Sequence, residues 1–228
     1  MKLHSILVAM LTLTFPCSVV HAQLKVLEGN EISLGRIYQT GGNVNKTITI
    51  KNIGKERIRI DQVGTSCGCT AAMISDSSLD PGAETKIKIQ FDPLGSIGEV
   101  TKYIYISNSD PQSRLINVKM TGYIVYALQS IPENAIFYRT KIGSVDSVSD
   151  TLRNNSDESI QITGIETPSS EITFKLDKRR LGPSEITVLH LYLKPKEEEN
   201  ISGFIQVFST CKLQPVLQIR VFAGMIRR

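Results

Sequence analysis

An all-β chain of tandem immunoglobulin-like antiparallel β-sandwiches is what this sequence predicts. Three observations carry that expectation: short runs in which apolar and polar residues alternate, turn-forming residues between the runs, and a second half that repeats the first. A half-buried antiparallel strand needs a period of two, because successive side chains point to opposite faces. The runs "KTITIKNI" (46–53), "RIRIDQV" (57–63), "TKIKIQF" (85–91), "KYIYIS" (102–107) and "RLINVKMTGYI" (114–124) all have it. Between them lie "NIGKE" (52–56), "LDPG" (79–82) and "SNSDPQ" (107–112), rich in residues that pre-set or tolerate turn geometry. No segment sustains a helical period.

The repeat has an offset of 102 residues: "IKNIGKERIRIDQV" (50–63) lies over "LRNNSDESIQITGI" (152–165), and "LDPGAETKIKIQFDP" (79–93) over "LGPSEITVLHLYLKP" (181–195). Chance alternation would match apolar to apolar, but here Asn52/Asn154, Thr65/Thr167, Pro81/Pro183 and Thr85/Thr187 coincide as well. The same offset also aligns Ser107/Ser209, Leu115/Leu217 and Gly122/Gly224. Each copy has room for roughly seven strands, the pattern of an immunoglobulin-like sandwich. With no Trp in the chain, the core is expected to be Ile, Leu, Val, Phe and Tyr. The expected division is a leader over 1–22, a first domain over 23–126 and a second over 127–228. The connection near "YALQSIPEN" (126–134) is short enough to leave the domains limited freedom.

Residues 1–22 read as a secretory signal: Lys2, the apolar run "ILVAMLTLTF" (6–15) and "VHA" (20–22), with cleavage after Ala22. Phe15 and Pro16 before Cys17 lack the small residues of a lipid-attachment site. No run is long enough to span a bilayer, so the mature chain is expected in the periplasm or outside the cell. The formal net charge of +4 is spread along the chain, with "KPKEEEN" (194–200) as its only block, and no basic stripe suggests nucleic acid.

Once Cys17 leaves with the leader, Cys67, Cys69 and Cys211 remain. That odd number excludes a disulfide-stapled miniature fold. The conspicuous pair is "TSCGCT" (65–70), whose counterpart in copy two is Ser169-Ser170-Glu171. "TSCGCT" with "DPGAETKIKIQFDP" and the closing "VKMTGY" resembles the bacterial domain-of-unknown-function family numbered 1573, over about residues 33–124. The resemblance implies export, a β-sandwich related to sperm-protein and cilium-associated domains, and no established biochemical role.

Three readings of the pair stand side by side. As thiolates, Cys67 and Cys69 could hold Cu(I), whereas a closed zinc site wants four ligands. As a local disulfide, they could serve redox chemistry, with Gly68 permitting the bend. As packing residues, they would be small buried hydrophobes at a corner that copy two builds without cysteine. The last is the leading expectation.

A nucleophile needs a base, and the only mature histidine, His190, falls on an outward strand position. Enzymatic activity and a cofactor are therefore not expected. The expected function is an exported binding or scaffolding module for an unidentified protein partner in the envelope or exterior. Its loops or strand edges would make the contact, Cys67, Gly68 and Cys69 foremost. Alternatives are a thiol-redox or Cu(I) protein, and a pilus-assembly-type chaperone anchoring a client on Arg139, Lys141 or Arg153.

Overall fold

The structure, a computed structural model, describes residues 24–225, apart from the side chain of Arg139. The leader and its cleavage site lie outside the described residues. No helix occurs among the described residues, and none is long and apolar enough to cross a membrane.

The first sandwich contains β1 (Leu24–Val26), β2 (Glu31–Tyr38), β3 (Val44–Asn52), β4 (Ile58–Thr65), β5 (Thr70–Ile74), β6 (Ser78–Leu79), β7 (Glu84–Phe91), β8 (Gly98–Asn108) and β9 (Leu115–Val125). One sheet has the order β1-β3-β7-β5 and the other β2-β9-β8-β4-β6. Strands β1 and β2 are two parts of one opening strand: it pairs antiparallel with β3, then crosses to the other sheet and pairs parallel with β9. The expected seven strands thus become nine segments, the ninth being the two-residue β6.

The second sandwich repeats this plan with β10 (Leu128–Ile131), β11 (Asn134–Thr140), β12 (Asp146–Asn154), β13 (Ile160–Glu166), β14 (Ile172–Leu176), β15 (Arg180–Leu181), β16 (Ile186–Leu193), β17 (Ile201–Ser209) and β18 (Val216–Met225). Its sheets run β10-β12-β16-β14 and β11-β18-β17-β13-β15.

The polar identities of the repeat are hydrogen-bond hubs. Buried Asn52 donates from Nδ2 to Glu56 O (2.7 Å) and Leu79 O (2.9 Å), while its Oδ1 accepts from Gly54 N (2.9 Å). Asn154 does the same with Glu158 O (2.8 Å), Leu181 O (3.1 Å) and Ser156 N (2.9 Å). Thr85 Oγ1 accepts from Asp76 N, and Thr187 Oγ1 from Lys178 N. These groups satisfy buried carbonyls and amides that strand pairing leaves over, which is why they survived duplication with the apolar positions.

Ladder register corrects the later part of the alignment. Ile60 faces Asn108 in copy one, and Ile162 faces Ser209 in copy two. The structural offset is therefore one residue shorter beyond β7. The loop 92–97 is one residue longer than its counterpart, and the matches Ser107/Ser209, Leu115/Leu217 and Gly122/Gly224 are not equivalent positions. Cys211 accordingly takes the place of buried Asp110, not of Ser109.

The cores are aliphatic. Ile48, Ile50, Ile87, Ile104 and Met120 lead the first, and Leu152, Leu189, Leu191, Ile205 and Val221 the second. Burial of such a side chain contributes roughly 1.5–3 kcal/mol. One position breaks the pattern: Ile48 faces Ile87 in copy one, but Asp150 faces Leu189 in copy two. Asp150 is only 1% exposed.

Candidate functional site

At the Cys-Gly-Cys corner, β4 ends on Thr65, whose Oγ1 lies 3.0 Å from Cys67 O and 2.9 Å from Thr70 O, a single hydroxyl proton serving both. Thr70 N donates to Cys67 O and Asp92 N to Cys69 O, which launches β5 along β7. Copy two builds the same corner from Thr167 Oγ1 with Ser169 O and Ile172 O, and from Ile172 N and Lys194 N. Threonine and backbone, not sulfur, make the corner.

Here the structure departs from the leading expectation. Cys67 and Cys69 are bonded to each other, with Cα atoms 5.3 Å apart, and both are half-buried rather than enclosed. Cys69 packs against the small cluster of Ile37, Phe91, Val100 and Ile124, while the tip at Gly68 is exposed. Gly68 has no positive φ, and a Cβ there would meet nothing within 4 Å. The turn does not require glycine, in keeping with Ser170 at its counterpart. Cys211 is a buried free thiol in the other sandwich. No cluster of three or more metal-ligating side chains occurs among the described residues.

A second constellation crosses three strands of copy two. Ser149 on β12 stands opposite His190 on β16, with Ser149 Oγ 3.0 Å from His190 Nδ1. His190 Nε2 lies 3.3 Å from Asp177 Oδ1, just beyond β14. In the sequence His190 stands alone on an outward strand position. Its partners lie 41 and 13 positions away, and only the sheet order brings them together.

The third feature is an unusual placement of aromatic residues. Of the seven Tyr and seven Phe, only Phe91 and Phe137 are fully buried among the described residues. Tyr103, Tyr105 and Tyr123 face outward on the five-stranded sheet of copy one, and Tyr138, Phe204 and Phe222 on that of copy two. Tyr103 and Tyr105 stack, with ring centroids 6.4 Å apart. Tyr138 is 75% exposed and borders a hollow of about 450 Å³ with Ile136, Phe222, Asn134 and Arg220. Asn134 and Arg220 also border an adjoining cleft of about 430 Å³, which reaches Gln39 and Thr40 of the first sandwich.

Next to that cleft a hydrogen-bonded junction links the two sandwiches. Arg36 Nη2 donates to Asn155 O (2.7 Å), the Tyr38 hydroxyl to Asp157 Oδ2 (3.3 Å), and Thr40 Oγ1 to Leu213 O. Asn155 Nδ2 in turn holds the connecting segment at Tyr126 O and Gln129 Oε1. Burial pushes the Tyr38 phenol up from its usual pKa. Of the anchoring candidates, the Arg139 side chain lies outside what the structure describes, and neither Lys141 nor Arg153 borders the cleft; among the described residues Arg220 does. Beneath it, Ser130 Oγ donates to Asp150 Oδ2 (3.5 Å), and burial pushes the Asp150 carboxyl up to about 6 against the weaker lowering by that bond.

Residues 26–124 match the model of the family described as "Protein of unknown function (DUF1573)", so the resemblance read from the Cys-Gly-Cys segment holds and extends further towards the amino terminus. No curated protein matches the chain. Among solved structures, a protein of unknown function from Porphyromonas gingivalis W83 is 12% identical, with TM-score 0.37, over 89% of this chain and 99% of that one. The ASH/PapD-like domain 7 of human CEP192 is 10% identical, with TM-score 0.39, over 54% of this chain and 99% of that one. The YadV chaperone is 11% identical, with TM-score 0.33, over 88% of this chain and 99% of that one. These likenesses concern the fold alone.

Proposed function

We propose that the mature chain is an exported protein-binding module whose docking face is the outer surface of the β11-β18-β17 sheet beside the interdomain cleft. The observation that carries this reading is the aromatic placement. Aromatic side chains are the largest apolar units available to a core, yet aliphatic residues fill most of both cores and eight of the described rings are exposed. Exposed aromatic residues interleaved with one Arg and amide groups have the composition of a protein-recognition surface. The rigid junction supports it further, because a pre-formed cleft costs no ordering on association. Export rests on the leader sequence, with the periplasm or exterior as destination.

The Cys67-Gly68-Cys69 tip remains a secondary contact loop in this proposal. With its sulfurs bonded to each other, the loop favours the thiol-redox alternative over Cu(I), which requires thiolates. A chaperone of pilus-assembly type gains less support, since among the described residues neither Lys141 nor Arg153 joins Arg220 at the cleft.

A photo-crosslinking residue at position 138 or 222 tests the assignment in native envelope. Specific adducts are expected at both positions and not at Thr173, on the outer face of the other sheet. Equal adduct yields at position 173 would refute it.

A further inference from the structure

The geometry points to Ser149 as a histidine-activated nucleophile that accepts acyl groups from activated carboxylic esters. This role goes beyond the binding proposal and does not depend on it. Three strands build the array. In β12 and β16 the directly paired positions are Ser149 and His190, so their side chains leave the sheet side by side on its outer face. On the far side of β16, β14 pairs through Leu176 with Leu189, and the chain then delivers Asp177 against His190.

One neutral tautomer satisfies every contact. With the proton on Nε2, His190 donates to Asp177 Oδ1 at 3.3 Å, and its bare Nδ1 accepts the Ser149 hydroxyl at 3.0 Å. Asp177 is a positioning residue: it holds the proton on Nε2 and so keeps the nitrogen facing Ser149 free to act as base. The Ser149 side of the array is exposed, so an electrophile can approach. Lys175, opposite His190 on β14, adds positive charge to the same face, where a tetrahedral intermediate would develop negative charge.

The step balances with an aryl ester as the only co-reactant. Ser149 Oγ attacks the carbonyl carbon as its proton passes to Nδ1, and the new Oγ–C bond replaces the ester C–O bond. The phenolate leaves and takes that proton as the phenol, restoring neutral His190. Water activated in the same way then hydrolyses the acyl-serine to the carboxylic acid and free Ser149.

The face carries its own control. Ser147 lies two residues earlier on β12, also outward, but opposite Tyr192 rather than a histidine. The mature chain is treated with p-nitrophenyl acetate, and acetylation of individual serines is followed by peptide mass spectrometry. Ser149 is expected to acetylate in preference to Ser147, and His190→Gln to slow Ser149 acetylation about 100-fold, the lower end of a general-base contribution. Asp177→Ala should slow it as well, with Asp177→Glu restoring the rate, which loss of a merely structural contact would not predict. Unchanged melting of each variant verifies folding. Equal acetylation of Ser147 and Ser149, or a Ser149 rate indifferent to His190→Gln, would overturn the assignment.

Discussion

Asp150 should make the second sandwich lose stability as pH rises from 4 to 7, the reverse of the usual behaviour of a stabilising carboxylate. Its buried carboxyl stands opposite Leu189, where copy one has Ile48 opposite Ile87, and it accepts a long bond from Ser130. The ionised form is therefore penalised in the folded state alone, and the pKa rises from 3.8 to about 6. Between those values the folded protein binds more protons than the unfolded one, so unfolding free energy falls with increasing pH. The rise from 3.8 to about 6 corresponds to about 3 kcal/mol, fully expressed above the folded-state pKa and absent below the unfolded value.

The comparison is with Asp150→Asn, which keeps the shape and cannot ionise. Chemical denaturation at pH 4 and pH 7.5, with hydrogen exchange of β12 and β16 peptides to isolate the second sandwich, measures the difference. The substitution should add stability at pH 7.5, by up to about 3 kcal/mol, and far less at pH 4. A difference independent of pH would refute the reasoning, because Asp150 would then titrate alike in both states.

Breaking the Cys67–Cys69 bond, by reduction or by Cys67→Ser with Cys69→Ser, should cost no more than about 2 kcal/mol, since so small a loop restricts the unfolded chain little. Unchanged circular dichroism with a modest loss in denaturant midpoint is the expected result. Asn52→Ala and Asn154→Ala should each cost about 2–4 kcal/mol, from the three side-chain hydrogen bonds of Asn52 and the five contacts of Asn154 lost at buried sites. Each loss should register in hydrogen exchange of its own sandwich.

The sequence made the strongly alternating strands legible. The run 85–91 sits within Glu84–Phe91, and 114–124 overlaps Leu115–Val125 almost fully. The opening strand escaped notice because it changes sheets, and because a register shift at Gly35 interrupts its period. β5, "TAAMI", was missed because small residues on both faces leave no alternation to read. The duplication was legible through Asn52, Thr65 and Thr85, whose hydrogen bonds recur in copy two. Its final third was misaligned by one residue because strands of period two still match well at a distance. At the candidate sites, the Cys-Gly-Cys motif was visible but its bonding was not. The Ser149–His190–Asp177 array depends on strand order, which no local pattern encodes. The outward aromatics were miscast as core because composition does not say which way a ring points.

The junction at Tyr38 also bears on whether such units can stack. Ladder register puts Thr140 at the place in copy two that Ile37 holds in copy one, so Lys141 follows in chain order where Tyr38 follows. The acceptors Asn155 and Asp157 correspond to Ile53 and Lys55. A second chain offering its own first sandwich to the far end of this one would set lysine against lysine, where the internal contact sets a phenol against a carboxylate. The contact is thus directional: the pairing of Tyr38 with Asn155 and Asp157 inside the chain is not offered again by the residues at its outer ends.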